Sequence, residues 1–102
     1  MIETPRGPVE QIDVLVVGAG FGGIAMADRL SRDGRGRDFL VLEAADEVGG
    51  TWRDNTYPGC ACDVPTALYS LSGHAHPGWS HSFGRQAEIQ AYLVSVADRI
   101  GL

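Results

Sequence analysis

Apolar residues fall into a few short blocks separated by glycine-rich stretches, and the period inside each block names its element. Ile12 to Val17 is a β-branched apolar run broken only by Asp13, the pattern of a buried parallel strand. From Phe21 to about Ser31, the residues Ile24, Ala25, Ala27 and Leu30 recur at helical spacing, and Gly34 and Gly36 mark where that helix stops. Phe39-Leu40-Val41-Leu42 reads as a second strand. Ala44 to Asp63 is rich in Gly, Asp and Pro and has no period, which predicts a long irregular loop of the kind that usually carries function. Leu68, Tyr69 and Leu71 predict a short turn or strand before a second irregular stretch, Gly73 to Gly78. Ile89, Tyr92, Leu93, Val96 and Ile100 then follow the i, i+3, i+4, i+7, i+11 pattern of a C-terminal amphipathic helix ending at Gly101.

Strand, glycine turn, helix and strand in that order predict an α/β fold, a partial Rossmann-like βαβ unit. Residues 1–11 are expected to form a flexible N-terminal arm, and residues 12–102 the N-terminal part of an incomplete Rossmann-like domain. Two strands fall short of a doubly wound half and leave open sheet edges, so the chain reads as a piece of a larger protein that docks to its remainder.

The turn carries chemistry. In Val17-Gly18-Ala19-Gly20-Phe21-Gly22-Gly23, Gly18 permits the tight turn, Gly20 lets backbone approach a pyrophosphate, and Gly23 permits close helix–strand packing. The helix beginning near Phe21 offers free N–H groups and a positive dipole end to a diphosphate. Glu43 lies twenty residues beyond Gly23, at the carboxyl end of the second strand. There it reads as an acceptor for ribose hydroxyls that disfavours a 2′-phosphate; the competing reading is a solvated strand-end carboxylate.

Composition removes several alternatives. Hydrophobic and charged contents of 44 % and 21 % are those of a globular chain. A formal charge of −5 argues against nucleic acid or an anionic membrane as partner. Arg32, Arg35 and Arg37, interrupted by Asp33 and Asp38, read as a solvated turn. The N-terminus has no apolar core of a signal peptide, and no apolar run approaches the roughly 18 residues of a membrane span. Cys60 and Cys62 are too close for an unstrained disulfide and too few for a structural zinc site, which suits a reduced, cytoplasmic protein. They read as loop filler. His74, His76 and His81 lie in a Gly/Pro loop at irregular spacing, which predicts solvent exposure and no metal.

A wider pattern adds a resemblance. Ala27 and Leu30 follow the glycine turn, and Gly49-Gly50 follow Glu43 by six and seven. This resembles the FAD-binding fingerprint of flavoproteins with two dinucleotide-binding domains. The run from Gly49-Gly50-Thr51-Trp52 through Tyr57-Pro58-Gly59-Cys60-Ala61-Cys62-Asp63, continued by Leu68-Tyr69-Ser70, Trp79-Ser80, Phe83 and Glu88 to Leu93, is similar to the N-terminal region of Baeyer–Villiger monooxygenases. The resemblance implies a chain that binds FAD, in an enzyme that uses NADPH and O₂ to insert oxygen beside a ketone carbonyl. It implies cofactor contacts at Gly50 and Thr51, flavin packing by Trp52, and FAD-site lining by Tyr69. It also implies an NADP contact flanked by Ala61 and Cys62, and a catalytic position for Asp63 near flavin and nicotinamide. Read from the residues alone, Trp52 fits a core position equally well, and Asp63 fits an N-cap before Val64-Pro65-Thr66. The second glycine motif for NADPH and the active-site arginine are expected outside the chain, so these 102 residues are not expected to turn over alone. The alternatives are an N-hydroxylating or flavin-containing monooxygenase, and a non-catalytic nucleotide-binding module that docks to a partner chain.

Overall fold

The computed structural model describes residues 9–76 and 78–102. Most of the expected N-terminal arm, residues 1–8, lies outside them; residues 9–12 are exposed and without regular structure. The elements run β1 (Val14–Val17), α1 (Phe21–Arg32), β2 (Phe39–Leu42), α2 (Thr51–Asp54), β3 (Ala61–Pro65), β4 (Phe83–Arg85) and α3 (Gln86–Arg99). The expected α/β unit is present: β1 and β2 pair in parallel, Val14 opposite Phe39 and Val17 opposite Leu42, with α1 as their crossover. The segment expected to be irregular also holds α2 and β3. β3 pairs antiparallel with β4 in a second two-stranded sheet, across an irregular register between Ala61 and Pro65.

The core lies between helices rather than within the parallel sheet. Ile24 of α1 meets Ile89, Tyr92, Leu93 and Val96 of α3, with Trp52, Cys62 and Leu71 closing the cluster. The helical period of α3 places all five of its buried residues on this one side. The expectation of a buried β1 is corrected: Leu15, Val17, Leu40 and Leu42 form an apolar outer face, 40–80 % exposed. A parallel sheet is buried only when helices cover both faces. Here α1 packs on one, and among the described residues nothing covers the other.

Two smaller expectations also change. Cys62 is not loop filler, because its side chain points from β3 into the core while Cys60 is half-buried beside it; both thiols are free. His76 and His81 are exposed as expected, but His74 is not. Its Nε2 lies 3.1 Å from Oδ1 of Asp28, the buried carboxylate on α1. Burial works against the charged form of Asp28, yet His74 and Arg32 together hold its carboxyl below the usual range. The Tyr92 hydroxyl donates to the His74 carbonyl and accepts the Leu71 N–H, fixing this loop to α3. Among the described residues no group of three or more His, Cys, Asp or Glu is placed to hold a metal ion, and no helix is long and apolar enough to cross a membrane.

Candidate functional site

β1 delivers the chain into the glycine turn, where the Gly18 N–H donates to the Leu42 carbonyl at 2.7 Å and so extends the parallel ladder by one bond. α1 then starts at Phe21 with Gly20 as its N-cap and no side-chain cap, so its first-turn N–H groups are left for an external acceptor. Gly23 sits directly against the turn. A Cβ there would overlap the Gly18 carbonyl oxygen and stand 2.9 Å from its carbon. The sequence-based role of Gly23 in close packing is therefore a direct geometric constraint.

The second glycine segment folds onto the first. The Gly49 N–H donates to the Ala19 carbonyl at 2.8 Å, and a Cβ on Gly50 would come within 3.1 Å of the Gly20 Cα. Two stretches of bare backbone, about thirty residues apart in sequence, thus lie side by side at the uncapped end of α1. The side chain of Gln90 on α3 braces this arrangement by donating to the Val48 carbonyl at 2.8 Å.

Glu43 locks the same place from below. One carboxylate oxygen accepts the Ala19 N–H and the other the Ala45 N–H, both at 2.9 Å, while an Arg53 guanidinium nitrogen lies 3.5 Å away. The Ala45 N–H first, then the Ala19 N–H, with the Arg53 charge adding to them, hold its carboxyl below the ordinary value of 4.5. A carboxyl lowered on folding contributes stability that is full above its unfolded value and is lost as pH falls through the folded one. Glu43→Gln is therefore expected to unfold more readily than the parent above about pH 4.5, with the gap closing on acidification. Thermal unfolding of both proteins across pH 3–7 checks this, and a gap that widens in acid would contradict it.

Beside the glycines the aromatic residues converge. Trp52, on α2, is 9 % exposed and donates through its indole N–H to the Tyr69 hydroxyl at 2.9 Å. The Tyr69 ring centroid lies 5.9 Å from that of Trp52 and 4.7 Å from that of Phe21 at the start of α1. Three positions singled out from the sequence are thus one cluster, and Trp52 occupies a core position, one of the two readings its sequence context allowed. Thr51 is exposed at the head of α2, where its hydroxyl accepts from the Asn55 amide.

β3 holds the remaining sequence candidates. Ala61 and Asp63 point to its exposed side and Cys62 to the core, as the period of two requires. Asp63 is in a strand, so the N-cap reading is overturned. Among the described residues the Asp63 carboxylate forms no hydrogen bond with the glycine segments. Sequence reasoning missed Arg53, which donates to the Glu47 carbonyl at 2.6 Å and pairs with Asp54 as well as approaching Glu43. It also missed Gln86, whose amide donates to the Trp52 carbonyl at 2.5 Å. Arg53 lies inside the run that carries the resemblance but had no role assigned there, Gln86 stands outside it, and only the packing of α2 and α3 brings their contacts together.

The NAD(P)-binding Rossmann-like domain family matches residues 16–85. A Baeyer–Villiger monooxygenase of Streptomyces coelicolor is 57 % identical over 93 residues, which are 91 % of this chain and 18 % of that protein. Among solved structures, an oxidized steroid monooxygenase bound to NADP superposes with a TM-score of 0.78 at 43 % identity, over 89 % of this chain and 18 % of that one. An open crystal structure of cyclohexanone monooxygenase superposes with a TM-score of 0.81 at 37 % identity, with the same coverage. The chain thus spans about a fifth of the length of these relatives.

Proposed function

Because the chain belongs to the NAD(P)-binding Rossmann-like domain family, we propose that it is the FAD-binding segment of an NADPH-dependent flavin monooxygenase that inserts oxygen beside ketone carbonyls. The observation that carries this reading is the apposition of Gly20 and Gly50 at the uncapped start of α1. A side chain on either would fill the space above the other's backbone, so the cradle is shaped for a ligand group that contacts bare N–H. A diphosphate fits that demand in size and charge.

In this reading Gly18, Gly20, Phe21, Gly23, Gly50 and Thr51 hold the diphosphate side of FAD. Glu43 fixes the turn by accepting the Ala19 and Ala45 N–H groups and offers its remaining lone pairs to the adenosine ribose. Trp52 and Tyr69 supply an apolar wall that keeps water from the flavin side. FAD, when bound, supplies the redox centre that takes the hydride of NADPH and meets O₂. Ala61 and the backbone of Cys62 flank the nicotinamide cofactor, most of whose site belongs to the rest of the protein. Asp63, exposed on β3 with its side chain in no hydrogen bond or ion pair among the described residues, is the carboxylate that faces the reacting groups. The outer sheet face of Leu15, Val17, Leu40 and Leu42 is where that remaining protein docks. Two free thiols suit the reducing cytoplasm.

The whole protein, supplied with FAD, NADPH, O₂ and a ketone, is expected to form an ester or lactone with matching NADPH consumption. Mass-spectrometric product analysis tests this. Oxygenation of amines or sulfides with ketones untouched would move the assignment to the flavin-containing or N-hydroxylating classes, and failure to retain FAD would remove it altogether.

A further inference from the structure

All eight cationic side chains of this acidic protein are arginines, and four of them line one depression on the surface beside the C-terminal end of α1. Arg29 and Arg32 come from the last turns of α1, Arg35 and Arg37 from the turn that follows, and Met26, Leu30, Asp33 and Ser72 complete the wall around about 670 Å³. We propose that this depression is a binding site for a small multiply charged anion carrying phosphate groups, separate from the glycine cradle.

Backbone geometry turns an alternating sequence into a convergent one. Gly34 and Gly36 both take positive φ, +71° and +64°, and the Arg35 N–H donates to the Asp33 carboxylate at 3.0 Å. The chain therefore folds back between α1 and β2 so that Arg35 and Arg37 border the same space as Arg29 and Arg32. Arg32, Arg35 and Arg37 are exposed, as the solvated-turn reading expects, and with Arg29 they border one depression.

Charge balance singles the place out. Arg32 is paired, at 2.6 Å from Asp28, and also reaches the Ser72 carbonyl, so it ties the wall to α1. Arg29, Arg35 and Arg37 form no ion pair among the described residues. Attraction to the negative end of the helix accounts for Arg29 and Arg32, but that effect fades within the last turn and leaves Arg35 and Arg37 unexplained. Guanidinium groups present forked donors that match phosphate oxygens in pairs. The net charge of −5 disfavours long polyanions such as nucleic acid or an anionic bilayer. A compact anion within a screening length of about 8–10 Å senses chiefly the local arginines.

The test is a titration of the whole protein with inorganic pyrophosphate, followed through the arginine Nε–H signals in nitrogen–proton spectra. The signals of Arg29, Arg35 and Arg37 are expected to shift saturably while those of Arg85 and Arg99 stay still. Arg35→Gln and Arg37→Gln are each expected to weaken binding about tenfold, the loss of one charged hydrogen-bonding partner. Both side chains are exposed, so circular dichroism should be unchanged. Shifts confined to the backbone of residues 18–23 would mean that pyrophosphate uses the glycine cradle alone and would overturn the proposal. Uniform shifts of all arginines, or affinity unaltered in both variants, would do the same. So would retention on phosphatidylserine vesicles that Arg35→Gln abolishes while pyrophosphate leaves the arginine signals unmoved.

Discussion

Gly23→Ala is expected to lower stability by about 3 kcal/mol, at the upper end of the cost of overpacking a filled site, and to abolish FAD retention. The added methyl group would clash with the Gly18 carbonyl oxygen, which is backbone and cannot rotate away. Relief requires α1 to move from the turn. That movement would also separate the first-turn N–H groups from the Gly49–Gly50 segment bonded to Ala19. Gly22→Ala is the matched control: outside its own turn of helix, no atom lies within 4 Å of a Cβ at that position. There alanine is expected to be neutral or to stabilise by up to about 1 kcal/mol through helix propensity. Thermal unfolding with bound-flavin absorbance measures both effects. Equal behaviour of the two variants would show that α1 does not sit against the turn as described.

Trp52→Ala is expected to cost about 3–5 kcal/mol, the range for removing a large buried aromatic side chain. Trp52 links the two halves of the structure. Its ring belongs to the core with Ile89 and Leu93 of α3, its N–H holds Tyr69, and its carbonyl accepts from Gln86. Trp52→Phe should retain most of the packing and lose the indole hydrogen bond, costing about 1 kcal/mol beyond the difference in size. Denaturant unfolding separates the two. A cost below about 1 kcal/mol for Trp52→Ala would mean that the indole is not part of the core. Tyr69→Phe removes the other end of the same hydrogen bond, so its effect should not add to that of Trp52→Phe.

The glycine cradle was legible because its requirements are local. Gly18, Gly20 and Gly23 are fixed by one turn and the first helical turn after it, and the spacing to Glu43 follows from one helix and one strand. α1, β2 and α3 were legible for a related reason, since each shows its own period over enough residues to be read. β3 and β4 were not. Ala61-Cys62-Asp63-Val64-Pro65 mixes polar and apolar residues, Phe83-Gly84-Arg85 is only three residues long, and their pairing spans about twenty intervening positions. α2 was missed because a single turn has no period to detect. The resemblance to Baeyer–Villiger monooxygenases marked this region as a candidate site without showing what elements it forms.

Glu43 marks the boundary between the two kinds of information. Its place at the end of β2 follows from chain connectivity, and a carboxylate there was readable from spacing alone. Its partners were not, because Ala19 and Arg53 reach it from opposite directions in sequence and only after α1 and α2 have packed. The same holds for His74 against Asp28, for Cys62 in the core and for the four arginines around one depression. Turn chemistry and helical period depend on neighbours a few residues away, so the order of residues suffices to specify the βαβ unit and its glycine turn. The convergence of side chains from distant segments depends on how much surface each element buries and against which other element, and that emerges only when the helices and sheets meet in three dimensions.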